Sequence, residues 1–234
     1  MSIASNVANI QEQIAEACRR SGRAEADVAL MAVSKMHPAD AIAEACAAGL
    51  RLFGENRVQE WQQKQPRVAE LMGAAAPPQI HLIGPLQSNK TRPVAEHFDW
   101  VHSIDRLKIA QRLSEQRPDT LPPLNVCLQV NVSGEASKSG VAPEDAPAVA
   151  REIASLPKLR LRGLMSIPEP AADLAAQREP HRILRELYET LRAQGVALDT
   201  LSMGMSGDLE AAVLEGATMV RIGTAIFGKR DYAH

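Results

Sequence analysis

Two folds that alternate strands with helices are distinguished by the run Val28-Ala29-Leu30-Met31-Ala32-Val33-Ser34-Lys35-Met36-His37-Pro38. Its first seven residues are apolar or small, and they predict a buried strand over Val28–Ser34. An open doubly wound sheet that holds a dinucleotide carries a glycine-rich turn directly after its first strand. The turn that follows this strand contains no glycine. The run therefore favours a closed barrel and leaves the doubly wound sheet as the alternative.

Short β-branched or apolar runs recur along the rest of the chain and alternate with longer amphipathic stretches. We count eight such runs, of which the second is the weakest. The predicted strands are Val28–Ser34, Leu52–Gly54, Ile80–Ile83, Trp100–Ser103, Leu124–Asn131, Leu159–Met165, Thr200–Met203 and Thr218–Ile222. Strict alternation predicts parallel strands with helical crossovers, and eight such α/β units can close into a (β/α)8 barrel of the TIM type.

Helical periodicity fills the segments between these strands. The predicted helices include Ala39–Ala48, Asn56–Met72, Asp105–Gln116, Glu144–Ser155, Pro180–Gln194 and Asp208–Leu214. Gly49 and Gly195 directly follow a last helical turn, as stop signals do. An extra N-terminal helix, Ala4–Arg20, precedes the first strand and is expected to pack across the barrel or beside it. Surface loops are expected at Gly73–Pro78 and Pro168–Ala176.

The bulk composition is that of an ordinary globular domain. The chain has 234 residues, of which 45% are hydrophobic and 23% charged, and one α/β barrel takes ~250 residues. We therefore expect residues 1–234 to form a single domain. Basic and acidic side chains number 26 and 28, for a net charge of -2. Because the sequence has no long Lys/Arg run, nucleic acid is not an expected partner.

Cysteine and histidine usage argues against two further kinds of site. Cys18, Cys46 and Cys127 are widely spaced and form no C-x-x-C pair, so they are expected to pack as thiols in a reducing cytoplasm. The six histidines show no H-x-x-H or H-E-x-x-H spacing, so no metal site is predicted. Glu12 and Glu16 interrupt the first helical stretch, which therefore lacks the apolar block of a signal peptide, and no later run could cross a membrane.

Two loops near the C-terminus have the chemistry of a phosphate site. Barrels of this class often hold phosphate between the loops after strands 7 and 8. Here those loops read Ser202-Met203-Gly204-Met205-Ser206-Gly207-Asp208 and Arg221-Ile222-Gly223-Thr224-Ala225-Ile226-Phe227-Gly228. Glycines let backbone N–H groups approach an anion, and hydroxyls add donors. Each loop alone is better explained as a tight turn between strand and helix, but two such loops at the expected positions favour a phosphate site.

Two charged residues stand out at strand ends. Arg221 ends an apolar strand, where it either makes a surface salt bridge or contacts a ligand in the barrel mouth. Lys35 follows strand 1, where it either reaches into water or lies partly buried at the mouth, and a neutral amine there can form an imine with a carbonyl. An imine-forming lysine beside a phosphate cradle predicts a small phosphorylated aldehyde as ligand. Pyridoxal 5′-phosphate (PLP) fits that description.

Several motifs, spread over essentially the whole chain, resemble those of a known family. They are Ala32-Val33-Ser34-Lys35, Phe53-Gly54-Glu55-Asn56, Val58-Gln59-Glu60, Ile80-His81-Leu82-Ile83-Gly84-Pro85-Leu86-Gln87-Ser88-Asn89-Lys90, Ser137-Lys138-Ser139-Gly140, Gly163-Leu164-Met165, Ser202-Met203-Gly204-Met205-Ser206 and the run from Arg221 to Gly228. The chain closely resembles the pyridoxal phosphate homeostasis proteins, which are related in fold to the barrel domain of alanine racemase and belong to the fold type III PLP proteins. The block from His81 to Lys90 is the most specific of these motifs.

The resemblance implies a cofactor and a set of contacts to it. Lys35 would carry PLP as a Schiff base, Arg221 would face the pyridine nitrogen, and Asn56 would lie close to the ring. The implied cofactor-binding residues are Lys35, Asn56, Ser202, Met203, Gly204, Ser206, Arg221, Gly223 and Thr224. An arginine does not readily protonate the ring nitrogen, so the ring remains a poor electron sink. This suits a protein of vitamin B6 homeostasis that holds PLP and supplies it to apo-enzymes without turnover of its own.

The chain departs from the family pattern at several positions. Arg57 replaces the tyrosine that many relatives have after Gly-Glu-Asn, and Met36-His37 stand where some relatives have a second lysine. Some relatives end with paired lysines, whereas this chain ends Lys229-Arg230-Asp231-Tyr232-Ala233-His234. Lys138 is then the remaining candidate for a second PLP-accepting amine.

A PLP-dependent amino-acid racemase is the alternative function. Racemisation needs a second base on the opposite face of the ring, which in the related racemases is a tyrosine supplied with a separate β domain. The tyrosines of this chain, Tyr188 and Tyr232, fall in a helix and in the C-terminal tail. His81 lies between apolar neighbours in a strand, so we expect a core residue without a catalytic role. No exposed apolar stripe is evident in the sequence, so a monomer is expected.

Overall fold

The chain folds into a closed barrel of parallel strands, seen in a computed structural model that describes residues 2–134 and 139–228. The strands are β1 (Ala29–Val33), β2 (Leu52–Glu55), β3 (Gln79–Leu82), β4 (Trp100–Ile104), β5 (Leu124–Gln129), β6 (Leu159–Met165), β7 (Thr200–Ser202) and β8 (Met219–Ile222). They pair in chain order, and β8 closes on β1. The predicted barrel is confirmed, and the doubly wound alternative is wrong.

Helices cover the outside of this barrel. They are α1 (Ile3–Ser21), α2 (Ala39–Ala47), α3 (Val58–Met72), α4 (Thr91–His97), α5 (Leu107–Gln116), α6 (Ala146–Ala154), α7 (Leu174–Ala193), α8 (Leu209–Leu214) and α9 (Thr224–Phe227). The N-terminal helix α1 contacts α2, α8 and α9, so it packs beside the barrel and not across it. Gly49 and Gly195 have φ angles of 97° and 87°, the left-handed backbone that glycine stop signals adopt.

The start of α7 was predicted wrongly. The helix begins at Leu174, before the predicted start at Pro180, so the expected loop Pro168–Ala176 is shorter than its prediction. Asp173 is the N-cap, and its side chain accepts a hydrogen bond from the N–H of Ala176. Proline lacks an N–H and disfavours a helix interior, but the buried face of α7 packs on the barrel and stabilises the helix across Pro180.

The barrel interior mixes apolar and polar side chains. Trp100, Cys127 and Met165 form a small buried cluster there, and His81 and His102 are fully buried beside them. A much larger apolar core lies between the strands and the helices. The polar groups inside the barrel therefore need partners there, because water does not reach them.

The described residues can be searched for free cysteines, for groups of metal-binding side chains and for membrane-spanning helices. Cys18, Cys46 and Cys127 are buried free thiols, as predicted. Within residues 2–134 and 139–228 there is no group of three or more potential metal-binding side chains. In the same ranges, no helix combines the length and the apolar character needed to cross a bilayer.

Candidate functional site

A cavity of about 410 Å³ opens at the C-terminal ends of the barrel strands. Its size falls in the range of small-molecule sites, which take roughly 300 to 1,000 Å³. The lining residues are Val33, Lys35, His37, Asn56, Ile83, Gly84, Pro85, Ile167, Met205, Ser206, Gly207, Arg221, Gly223 and Thr224. The members that the sequence predicted are Lys35, Asn56, Ser206, Arg221, Gly223 and Thr224. The fold thus brings most of the predicted set together around one space.

Lys35 lies in a turn directly after β1. The lysine is half-buried and lines the cavity, which matches the expectation of a lysine at the barrel mouth and not that of one in open water. His37, at the end of the same turn, stacks on Phe227 with ring centroids 4.9 Å apart. The stacking links the turn after β1 to the short helix α9 after β8, so the two walls of the cavity are held in contact.

Arg221 is the second predicted charge at the mouth. Its residue is only 3% exposed, and its guanidinium donates from Nη1 to Ser202 Oγ at 2.8 Å and from Nη2 to the Ser166 carbonyl oxygen at 2.7 Å. No carboxylate of the described residues forms a salt bridge with it, so the surface salt-bridge alternative is wrong. Burial lowers the pKa of Arg221 to about 10, which still leaves it charged at neutral pH. A buried cation without a carboxylate partner favours a ligand that brings an acceptor.

A chain of buried side chains crosses the barrel interior to Arg221. His81 Nδ1 lies 2.8 Å from His102 Nε2, and His102 Nδ1 lies 2.8 Å from Ser202 Oγ, which Arg221 also contacts. Burial lowers the pKa of His81 to about 3. Burial, together with His81 and Arg221, holds the pKa of His102 well below its usual value. Both imidazoles are therefore neutral at physiological pH, and they orient Ser202 without adding charge.

Three predicted site residues lie behind the cavity and do not line it. Ser202, Met203 and Gly204 are all fully buried. The carbonyl oxygen of Gly204 accepts a hydrogen bond from the backbone N–H of Arg221 at 2.9 Å. Gly204 has a φ angle of 96°, and an added Cβ would lie 2.5 Å from that of Ala212, so only glycine fits there. These three residues contact Arg221 and the core, whereas the loop motif predicted them as ligands of a phosphate group.

Hydrogen-bond donors gather on the side of the cavity formed by the loops after β7 and β8. The backbone N–H groups of Ser206, Gly207 and Gly223, and the hydroxyls of Ser206 and Thr224, make no hydrogen bond with any other described residue. All of these residues line the cavity. A cluster of donors without acceptors is the arrangement that binds an anion such as a phosphate group.

The loop after β7 is held in shape by the side chains of Asp208 and His181, which lie outside the cavity lining. Asp208 Oδ1 accepts a hydrogen bond from the Met205 N–H at 2.7 Å, and Asp208 Oδ2 lies 2.9 Å from His181 Nε2. The hydrogen bonds from His181 and from the Met205 N–H hold the pKa of the Asp208 carboxyl below its usual value, although its burial acts in the opposite direction. The loop is therefore anchored from α7, which leaves Ser206 and Gly207 facing the cavity.

The loops after β2 and β3 form the opposite wall. A Cβ on Gly84 would lie 2.3 Å from the carbonyl oxygen of Asn56, so glycine is required for the two loops to approach. The helix α3 begins at Val58 and not at the predicted Asn56, because Asn56 and Arg57 have extended or loop backbone. This difference leaves Asn56 half-buried at the cavity wall.

Sequence reasoning missed part of the lining. The lining residues outside its site prediction are Val33, His37, Ile83, Gly84, Pro85, Ile167, Met205 and Gly207. Most directly follow a strand end, which is the signal that could have identified them. Tyr188 is buried in α7 and donates to the Leu198 carbonyl oxygen, away from the lining. Lys138, Tyr232 and the C-terminal run from Lys229 lie outside the described residues.

Comparisons with known proteins agree with this geometry. The family model for the alanine racemase N-terminal domain matches residues 5–231. A pyridoxal phosphate homeostasis protein of Pseudomonas aeruginosa is 64% identical over 98% of this chain and 96% of its own. The protein of that name from Escherichia coli is 52% identical over 99% of this chain and 98% of its own.

Solved structures show the same relationship. PipY of Synechococcus elongatus with PLP bound is 39% identical over 97% of this chain and 100% of its own, with a TM-score of 0.84. An alanine racemase of Clostridium difficile has a TM-score of 0.72 at 15% identity, and the match covers 99% of this chain and 58% of the racemase. At that identity the racemase shows the shared barrel fold alone.

Proposed function

The chain belongs to the pyridoxal phosphate homeostasis proteins, and we propose that it binds PLP through Lys35 and serves intracellular PLP homeostasis by supplying PLP to apo-enzymes. One observation carries the proposal: half-buried Lys35 lines the same cavity as buried Arg221, and Arg221 forms no salt bridge with a carboxylate of the described residues. The PLP seen in PipY supports the choice of ligand, because that protein shares the fold and much of the sequence.

The described residues fit the three functional groups of PLP. Lys35 would hold the aldehyde carbon of PLP through a C=N bond, formed with release of water. The donors of Ser206, Gly207 and Thr224 suit the phosphate, and the Arg221 guanidinium suits the ring nitrogen. When bound through Lys35, PLP would supply an imine carbon at which other amines can exchange.

The contacts of Arg221 favour a carrier over an enzyme. Its guanidinium is positioned by Ser202 and the Ser166 carbonyl oxygen, and it stays charged at neutral pH. A group that keeps its proton does not protonate the pyridine nitrogen, so the ring remains a weak electron sink. We therefore infer that Ser202, Met203 and Gly204 support the cofactor site through Arg221 and the core, without contacting PLP.

A racemase would need a second base across the ring from Lys35. The first candidate for this base, Tyr188, is buried and donates its hydroxyl to the Leu198 carbonyl oxygen. The second, His37, lines the cavity but stacks on Phe227. We therefore infer that the protein acts without turnover.

We also infer that residues 1–234 form one domain, and that the protein is a monomer that acts in the cytoplasm.

Turnover and transfer assays test this function. The PLP-loaded protein should transfer its cofactor to an apo-enzyme that depends on PLP, which is measured as recovered activity of the recipient. Incubation with each L-amino acid should give no catalytic formation of the D-isomer. Sustained racemisation that is lost in Lys35→Ala would contradict the carrier function and favour the racemase.

A further inference from the structure

The turn that carries Lys35 has an unusual backbone. Met36, the residue after Lys35, has a φ angle of 63°, in the left-handed region that side chains other than glycine disfavour. The turn is closed by a hydrogen bond from the His37 N–H to the Ser34 carbonyl oxygen at 3.1 Å. A strained turn persists where its surroundings hold it in place.

Charged side chains of α3 hold both residues that flank Lys35. Glu60 Oε1 accepts a hydrogen bond from the Met36 N–H. Lys64 Nζ donates to the Ser34 carbonyl oxygen at 2.9 Å and to Glu60 Oε1 at 2.5 Å. We call Glu60 and Lys64 the α3 clamp.

A buried carboxylate completes the arrangement around the clamp. Glu55, at the end of β2, is fully buried, and its Oε1 accepts from Lys64 Nζ at 3.0 Å and from Ser34 Oγ at 2.7 Å. The side chain of Lys64 is only 11% exposed and that of Glu60 20% exposed. Solvent-exposed ion pairs are mobile and contribute little, whereas these charges are enclosed and bonded to the backbone. Their geometry therefore fixes the path of the turn.

We propose that Glu60 and Lys64 are positioning residues for the cofactor-bearing lysine, holding the turn from Ser34 to His37 so that the Lys35 amine faces the cavity. The proposal rests on the proposed function of Lys35. It assigns a role to the Val58-Gln59-Glu60 segment, whose Glu60 lies outside the cavity lining. Because the clamp acts through the backbone on both sides of Lys35, its loss should impair attachment of PLP without removing any group that touches the ligand.

Substitutions of Glu60 test the proposal with PLP itself as the probe. Glu60→Leu removes the acceptor for the Met36 N–H, and it should slow covalent attachment of PLP to the apo-protein by about 10- to 100-fold, as misplaced reacting groups do. Glu60→Gln keeps an acceptor oxygen and should stay within about 3-fold of the wild type. The rate is followed by the absorbance of the lysine–PLP imine.

A matched control separates positioning from loss of an ion pair. Arg162→Met removes the cation of a partly buried ion pair with Asp199 at the other end of the barrel, and it should leave the attachment rate within about 2-fold of the wild type. Equal slowing in Glu60→Gln and Glu60→Leu, or no slowing in Glu60→Leu, would overturn the role of Glu60.

Lys64 is tested in a background that avoids an unpaired buried carboxylate. The double variant Glu55→Gln/Lys64→Met removes both charges, and it should attach PLP about 10-fold more slowly than Glu55→Gln alone. Equal rates in these two proteins would overturn the role of Lys64. If the wild type forms no imine at Lys35, the proposed function fails instead, which the wild-type spectrum shows directly.

Discussion

A buried arginine lies at each end of the barrel, and the two arginines differ in their hydrogen-bond partners. Near the N-terminal ends of the strands, Arg117 donates to three backbone carbonyl oxygens at 2.7 to 2.9 Å. At the C-terminal ends, Arg221 is just as buried but donates to Ser202 Oγ and to one backbone carbonyl oxygen, that of Ser166, and it lines the same cavity as Lys35. Arg117 therefore joins backbone segments of the fold, whereas Arg221 faces the cavity that Lys35 also lines. This division between a stability end and a functional end is typical of α/β barrels.

Other contacts follow the same division. At the N-terminal end, Arg162 makes a bidentate ion pair with Asp199 and lies 4.7 Å from the centroid of the Trp100 ring. At the C-terminal end, the donors of Ser206 and Thr224 have no acceptor among the described residues. The Arg162–Asp199 pair is therefore satisfied within the protein, whereas the donors of Ser206 and Thr224 are available to a ligand.

The largest expected effect comes from replacing each buried arginine by methionine. Arg117→Met should lower the free energy of unfolding by about 2 to 4 kcal/mol, because three carbonyl oxygens lose their donor. Arg221→Met should weaken PLP binding by about 10- to 100-fold, while it destabilises the apo-protein less than Arg117→Met does, because removing a buried cation without a salt bridge offsets the lost hydrogen bonds to Ser202 and Ser166. Urea unfolding and PLP titration measure the two quantities.

The opposite pair of results would contradict this difference between the two arginines. A large loss of apo-protein stability in Arg221→Met, with PLP affinity intact, would make that arginine structural. A weakened PLP affinity in Arg117→Met would extend the functional region to the N-terminal end.

The buried histidines between the two ends give an intermediate effect. The pKa of His81 is lowered to about 3 in the folded state, against about 6.5 in the unfolded chain. Below pH 6.5 the unfolded chain binds a proton that the folded protein excludes, so this contribution to stability is present above pH 6.5 and is lost as the pH falls towards 3. His81 should lower the unfolding free energy by about 1.4 kcal/mol per pH unit in that window, and His102, whose pKa is also lowered by burial, acts in the same direction.

Replacing one histidine isolates its share. His81→Leu should reduce the loss of stability between pH 6.5 and 5, because one buried histidine fewer takes up a proton on unfolding. Its PLP affinity at pH 7.5 should stay within about 3-fold of the wild type, because His81 reaches Arg221 only through His102 and Ser202. An unchanged pH slope would show that His81 is already protonated, or exposed, in the folded protein.

The smallest effect concerns backbone strain, which occurs at both ends. Met36 and Lys158 are the described residues other than glycine with positive φ, each at 63°. Met36→Gly and Lys158→Gly should each stabilise the protein by roughly 0.5 to 1 kcal/mol. Only Met36→Gly should also slow attachment of PLP, because it loosens the turn that carries Lys35. Equal attachment rates in the two variants would separate the strain at Met36 from the function.

The barrel was predictable because its signal is local. Each strand is a short apolar run with helical periodicity on either side, and even the weak run at Leu52 forms a strand. The start of α7 was not predictable in this way, since Pro180 is tolerated only because of packing between distant segments. Local patterns therefore give the order of elements, and tertiary contacts set some of their ends.

The candidate site was predictable where a charge ends an apolar strand. Lys35 and Arg221 were both found from that signal, and both line the cavity. The loop motif does not determine whether Ser202 faces the cavity or the barrel interior, so the position of this residue was not predictable from it. The α3 clamp was not predictable for a different reason. In the sequence, Glu60 and Lys64 form an ordinary i,i+4 pair, and only the fold brings their side chains into hydrogen bonds with the backbone on either side of Lys35.

Borohydride reduction tests the central claim most directly. Purified protein loaded with PLP is reduced, digested and mapped by mass spectrometry, with Lys35→Ala treated in parallel. We expect one stoichiometric phosphopyridoxyl group on the peptide that contains Lys35, and loss of that group in the variant. An equal yield and an unchanged imine spectrum in Lys35→Ala would contradict it.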